Sequence, residues 1–321
     1  ISRVEWLIEL INLEEAKKIL DSMVVQYSNS TEVWDLYSEV LLGLDKTKEA
    51  KKALETSIKL DPNSNGDKFM SLGQLLDDPK KKLDMFEKAI SIYRKNEQNE
   101  EMLVVLSSAL ASVSELYMST YLCDEKNAEE KCENYLEEAY KICPNNPDVL
   151  IQYSNLRILR NRDKEAFEFM NKAFNIITLN EKDENFPDCD IISNLARNFS
   201  ELSDYSKAIT LLEIITSLDQ DNLEYWYLLS FNHFKIKNYL HSWNCLEKIS
   251  EIVKATNEKD DEIIEACKEL ENELKKIEEK GELTNNLFDN SSTENTCSTN
   301  DDIVIDKKKD KRKNNKMDID D

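Results

Sequence analysis

Residues 31–62 read TEVWDLYSEVLLGLDKTKEAKKALETSIKLDP. Trp34, Tyr37, Ser38 and Leu41 recur at helical spacing in the first half, and Ala50, Leu54 and Ser57 do so in the second. That spacing predicts two short amphipathic helices joined by a polar turn. Pro62 follows as a stop, because proline can neither donate its backbone N–H nor fit inside a helix. The small side chain of Ala50 is what two antiparallel helices need where they approach closely.

The small residue returns along the chain. Ala16 and Ala50 lie 34 residues apart, Ala208 and Ser242 again 34 apart, and Ala166 falls between the two pairs. A 34-residue period with this punctuation is the signature of the tetratricopeptide repeat, a helix-turn-helix unit that stacks into a solenoid. In the second repeat Leu41 stands for the usual aromatic, and Ser38 and Ser57 for the usual small residues. The predicted fold is all-α: a right-handed superhelical solenoid of about seven repeats with a C-terminal capping helix.

Working outward, Ala16, Leu20 and Met23 mark a first repeat whose opening helix covers Arg3 to Ile11. Phe69, Leu72 and Gly73 begin a third, whose second helix opens at Pro79 and turns Phe86 and Ala89 inward. A longer helix, Glu101 to Leu122, pairs with Ala128 to Ile142, where Leu116, Leu136 and Ala139 are expected between the helices. The fifth, sixth and seventh repeats centre on Ala166, Ala208 and Ser242, with an inserted loop expected over Leu179 to Asp188. Residues 258–280 are highly charged with a thin apolar stripe, as a capping helix requires. The solenoid is therefore expected over residues 1–280, with a disordered acidic and basic tail at 281–321.

Composition narrows the function classes. The chain carries 65 acids and 42 bases over 321 residues, a formal net charge of −23. Up to residue 280 there are 55 acids against 35 bases, so the folded part holds a net charge of −20. That sign is wrong for nucleic acid and right for basic partners, although solubility alone would also explain it. No apolar run approaches the ~20 residues that cross a bilayer. The seven cysteines lack Cys-x-x-Cys spacing and read as reduced core residues. His233 and His241 have no metal-ligand spacing, Asp219 and Asp221 lack the rest of a calcium loop, and no phosphate loop or nucleophile motif occurs. No cofactor, no metal and no enzymatic activity are expected. The chain begins at Ile1 rather than Met, which leaves open what precedes it, including a removed targeting segment.

Several stretches go beyond the generic repeat. They are Ser71-Leu72-Gly73-Gln74-Leu75 with Met85-Phe86-Glu87-Lys88-Ala89-Ile90, and Glu115-Leu116-Tyr117 running through Leu122-Cys123 to Ala128-Glu129 and Cys132-Glu133. Two more are Pro144-Asn145-Asn146-Pro147 with Asn155-Leu156-Arg157-Ile158-Leu159, and Glu224-Tyr225-Trp226-Tyr227-Leu228-Leu229. From about Phe69 to Leu246, in order, the chain resembles the eukaryotic tetratricopeptide assembly chaperones dedicated to large-subunit ribosomal protein four. Leu83 and Ser119-Thr120-Tyr121 depart from that pattern. The resemblance implies capture of a basic, unfolded segment of that newly made ribosomal protein, which is shielded and delivered for large-subunit assembly in cytoplasm and nucleus. A monomer that contacts neither nucleic acid nor membrane is expected. The rival readings are a scaffold subunit of a multiprotein complex and a heat-shock co-chaperone. The acidic second repeat speaks against the latter, whose ligand is a carboxylate.

In such a solenoid the first helix of each pair lines the concave face. Its outward positions place Glu32, Asp35, Glu39, Gln74, Glu115, Tyr117, Asn155, Asn194, Tyr227 and Phe231 there as candidate partner contacts. Tyr227 and Phe231 have a second reading, packing against the neighbouring repeat. In the tail, Lys307, Lys308, Lys309, Lys311, Arg312 and Lys313 read either as a nuclear import signal or as a solvated charge block.

Overall fold

The computed structural model describes residues 2–9, 12–96, 99–119, 122–123, 126–179, 186–256 and 260–280. The basic run at 307–313 and the rest of the tail lie outside these residues. The described residues form fifteen α-helices and no strand. They pair as α1 (Ser2–Glu9) with α2 (Leu13–Gln26), α3 (Thr31–Gly43) with α4 (Thr47–Leu60), and α5 (Asp67–Gln74) with α6 (Pro79–Tyr93). Next come α7 (Glu100–Met118) with α8 (Ala128–Ile142), α9 (Pro147–Leu159) with α10 (Asp163–Leu179), and α11 (Cys189–Glu201) with α12 (Tyr205–Leu218). The pair α13 (Leu223–Lys235) and α14 (Tyr239–Thr256) precedes a single last helix, α15 (Asp261–Glu279). First helices touch first helices along the array: α7 meets α9, α9 meets α11, α11 meets α13, and α13 meets α15. The result is the all-α solenoid of seven helix pairs with a capping helix.

The small residues do what the spacing asks of them. Ala16, Ala50, Ala166, Ala208 and Ser242 are all 0% exposed. Ser242 shows how close the helices come: the Ser230 hydroxyl of α13 lies 2.8 Å from the Ser242 carbonyl oxygen and 3.0 Å from its hydroxyl. Gly73 marks another close approach, since a Cβ there would sit 2.5 Å from Cε1 of Phe86.

Four of the pairs turn in one way. Asp45, Asn161, Ser203 and Lys237 each adopt positive φ just past a first helix. The following residue donates its N–H five residues back: Lys46 to Leu41, Arg162 to Arg157 and Asp204 to Phe199 at 2.8 Å, and Asn238 to His233 at 2.9 Å. This is the Schellman closure, which satisfies carbonyls that a helix end leaves orphaned. Glycine usually takes that left-handed position; here Asp, Asn, Ser and Lys do. Helix starts are closed by side chains: Ser30, Asp78, Asn99, Asn146, Asn222 and Asp260 each accept a first-turn N–H.

Two boundaries differ from expectation. The helix α7 ends at Met118 rather than Leu122, with Ser119 extended and its hydroxyl bonded to the Leu116 carbonyl at 2.6 Å. The capping helix starts at Asp261, with Asp260 as its N-cap. Leu136 and Ala139 are fully buried, but Leu116 is only partly so; Tyr117 takes the inward place. By length and composition α7 is apolar enough to cross a membrane, yet Leu106, Leu110 and Val113 are fully buried in a core shared with α6, α8 and α9. Its apolarity is that of a helix covered on several sides.

Two of the stretches that carry the family resemblance meet in an ion-pair cluster. Arg160 of the α9–α10 turn contacts Glu133 at 3.1 Å and Glu129 at 2.7 Å, both on α8. The Arg160 hydrogen bonds hold the Glu133 carboxyl below its usual range. Arg157 lies 3.2 Å from Glu165 and 3.8 Å from Glu133, without aligned hydrogen bonds at Nε or Nη1, and rests over the Tyr153 ring. These residues join the fourth repeat to the fifth; they do not face the groove. The cysteines resolved here are free thiols, and burial pushes Cys132 up to about 11 and Cys245 up to about 12.

Candidate polypeptide-binding groove

The first helices α5, α7, α9 and α11 floor a groove of about 550 Å³. Five carboxylates line it, Asp67, Glu115, Asp148, Asp188 and Asp190, and no Lys or Arg is among the described lining residues. Between the acids lie Met70, Val104, Val105, Ile151 and Ile191. Val104 is 45% exposed and Val105 36%. Acids supply long-range attraction to a cation, and the bare valines supply contact surface for an aliphatic side chain.

The carboxylates are crowded. Burial raises the Asp148 pKa; a hydrogen bond from Ser108 opposes the rise, and the Asp188 charge adds to it. Burial likewise raises Glu115, although its side chain opens onto the groove; Lys82 from the neighbouring cleft pulls it back and Asp148 pushes it further up. Tyr93 donates to Asp67 at 2.5 Å and Tyr225 donates to Asp190 at 2.8 Å. Burial raises both phenols, with the partner carboxylate adding to the rise, so both remain donors at neutral pH. An arriving ammonium or guanidinium relieves this mutual repulsion.

The groove continues toward the N-terminus. Asp67 and Ser71 also line a second section of about 590 Å³, whose acids are Glu32, Asp35 and Glu39. Lys68 lines this section too, but it is 3% exposed and its ammonium donates to the Asp61 carbonyl at 2.6 Å and Ser64 Oγ at 3.0 Å. That charge is consumed by the fold. Asp35 accepts from Ser57 at 2.5 Å, and burial raises Glu39.

A register explains where the acids come from. Glu32, Asp67, Asp148, Asp190 and Glu224 all occupy the second position of a repeat, in the first turn of its first helix and six before Ser38, Gly73, Ser154, Ala196 and Ser230. Acids in a helix's first turn favour the positive end of its dipole, so these residues stabilise their helices, and all but Glu224 also line the groove. Glu224 pairs with Arg197. Asp67, Asp148 and Asp188 were absent from the sequence-derived candidates. The second-position rule, applied to every repeat, finds the first two; Asp188 precedes its helix, and periodicity does not reach it.

Of the candidate contacts, Glu32, Asp35 and Glu39 line the N-terminal section, and Gln74, Glu115 and Asn194 line the central one. Asn155 sits in a chain of amides: Asn198 donates to Asn155 at 2.5 Å, Asn155 to Gln152 at 3.0 Å, and Gln152 to Glu115 at 3.2 Å. That chain ties α11, α9 and α7 together beneath the groove. Tyr117 must be corrected. It is 4% exposed in the core, stacked on Tyr135 with Lys131 over its ring, because α7 is rotated so that Tyr117 and not Leu116 faces α8. Tyr227 and Phe231 are half-buried and line a cleft against α15, with Ala266 and Leu270, so they pack on the capping helix and not in the central groove. Among the described residues no group of His, Cys, Asp and Glu has metal-site geometry. His233 is buried 5.2 Å from the His241 ring, and burial drops it to about 4, as a packing residue.

Stacked helix pairs with a concave acidic floor define a tetratricopeptide-repeat solenoid, and the tetratricopeptide repeat family model matches residues 31–64. The chain is similar in sequence to two curated fungal proteins, each named "Probable assembly chaperone of rpl4". That of Schizosaccharomyces pombe is 25% identical over 242 residues, covering 72% of this chain and 68% of the relative. That of Emericella nidulans is 25% identical over 201 residues, covering 60% of this chain and 51% of the relative. Among solved structures, the assembly chaperone of RpL4 (Acl4, residues 1–338) superposes with a TM-score of 0.62 at 21% identity, over 76% of this chain and 97% of that one. The Cut9–Hcn1 assembly of the APC/C gives 0.55 at 15% identity, over 83% of this chain and 48% of that one. Both structural likenesses are likenesses of fold. The resemblance to the rpl4 assembly chaperones read from the sequence is thus found again by direct comparison.

Proposed function

We propose that this chain is a ribosome-biogenesis chaperone that holds a basic, not yet folded segment of a large-subunit ribosomal protein, of the rpl4 type, in its acidic groove. The observation that carries this is the central groove, lined by five carboxylates and no cation among its described residues. Ribosomal proteins carry basic segments made to meet RNA. Free, such segments bind nucleic acid indiscriminately. In the groove the carboxylates neutralise them, and Val104 and Val105 supply aliphatic contact, until RNA, a stronger polyanion, displaces the chaperone. The relatives' names support this choice of partner. The chain acts as a monomeric binding protein, without catalysis, and travels between cytoplasm and nucleus. The run at 307–313 is a candidate import signal.

Affinity purification of the chain at low salt tests the reading. One basic large-subunit ribosomal protein in near-equal amount is expected, dissociating as salt rises. A salt-stable assembly of several unrelated subunits would instead make the chain a scaffold.

A further inference from the structure

The chain contains its own candidate for the groove. Residues 303–313 read IVIDKKKDKRK: three aliphatic side chains followed by six cations in seven residues. The groove presents the complementary pair of features, exposed Val104 and Val105 beside Glu115, Asp148 and Asp190. No other stretch of the sequence has such a density of positive charge.

Resting on the groove reading above, we infer that segment 303–313 docks in the acidic groove of its own chain and competes there with the basic client. The reach suffices. Lys307 is 27 residues beyond Lys280. A flexible chain of that length has a root-mean-square span of about 26–31 Å and a taut length of about 90 Å. From α15 back to α7 there are four steps between contacting helices, α13, α11, α9 and α7. At 8–10 Å each, that is about 32–40 Å. A linker matched to its span gives an effective concentration on the order of 1 mM, so a weak tail–groove Kd of about 100 µM lowers client affinity about tenfold. Such a tail keeps weakly basic polypeptides out and yields to a client that binds tightly. The acids that precede the cations, Asp301, Asp302 and Asp306, weaken the tail's own hold and keep it displaceable.

Competition in the full-length chain tests this. The affinity of a labelled oligolysine peptide is read by fluorescence anisotropy at low salt. In one variant Lys307, Lys308, Lys309, Lys311, Arg312 and Lys313 become Gln. In a charge-matched variant the exposed Lys18, Lys48, Lys52, Lys59, Lys164 and Lys254, all on second helices, become Gln. The tail variant should bind about tenfold more tightly, and the matched variant less than about twofold, since those lysines stand on the second helices and do not line the groove. No tightening in the tail variant, or equal tightening in both, overturns the inference. So does a tail effect that fades on diluting the protein, which would place the tail in a second copy. Adding Glu115→Gln, Asp148→Asn and Asp190→Asn should weaken the peptide and erase the tail effect. If that triple variant binds oligolysine as well as the original, the groove reading itself fails, whatever the tail does.

Discussion

Replacing Asn146 should loosen the joint on which the groove depends. Asn146 precedes Pro147 at the start of α9 and is 4% exposed. Its side-chain oxygen accepts from the Asp148 N–H at 3.0 Å, and its amide donates to Ser107 Oγ at 2.7 Å and Ser108 Oγ at 2.9 Å on α7. One residue thus caps α9 and bolts it to the helix that carries Val104, Val105 and Glu115. Asn146→Ala removes an N-cap, about 1 kcal/mol, and two buried hydrogen bonds at a net of about 1 kcal/mol each, about 3 kcal/mol in all. Stability in a solenoid is local, so the readout is amide hydrogen exchange over Val149 to Leu156, expected to speed by about 150-fold. Asn146→Ser keeps a cap acceptor but not the amide donors, so its loss should be about two-thirds that of Ala. If Asn146→Ala changes exchange by less than about threefold, or Ser costs as much as Ala, the joint does not hold the two helices as described.

The remaining predictions span packing, turns, the corrected tyrosine and pH. Gly73→Ala gains about 1 kcal/mol of helix propensity but drives its Cβ into the buried Phe86 ring, so urea denaturation should show a net loss of about 1–2 kcal/mol; a gain would mean Phe86 yields freely. Ser203→Gly relieves a left-handed residue at a Schellman turn and should raise stability by roughly 0.5 kcal/mol, seen as a small rise in melting temperature. Tyr117→Ala should cost about 3–5 kcal/mol while Tyr117→Phe leaves oligolysine affinity unchanged; loss of binding in the Phe variant with the fold intact would put Tyr117 back in the interface. Burial raises Asp148 and Glu115 above their unfolded values, so their ionisation opposes folding as pH rises through those raised pKa values, and protonation below them relieves it. Asp148→Asn and Glu115→Gln should therefore raise the melting temperature at pH 7, do so little near pH 4, and weaken oligolysine binding at pH 7. Binding to the original chain should weaken as pH falls toward the carboxylate range.

What was legible in the sequence is local. The period of Ala16, Ala50, Ala208 and Ser242 sets the pairing of helices, because a small side chain at a close approach is a requirement each repeat meets within about 34 residues. Helix starts were written the same way, in Ser30, Asp78, Asn146 and Asn222, since a cap bonds the first turn of its own helix. The acidity of the folded part was countable, and the second-position acids follow from the same register. Only the tertiary structure decided which way α7 is turned. With partners on several sides, that helix is apolar nearly all round, and periodicity alone does not choose between Leu116 and Tyr117 for the core. The capping helix, likewise, closes over Tyr227 and Phe231 with Ala266 and Leu270, a contact that no pattern within the seventh repeat announces. The groove itself is a tertiary object: Asp67, Glu115, Asp148 and Asp190 come from four helices far apart in the chain, and their shared raised or hydrogen-bonded state exists only once the first helices stack and shut water away from them.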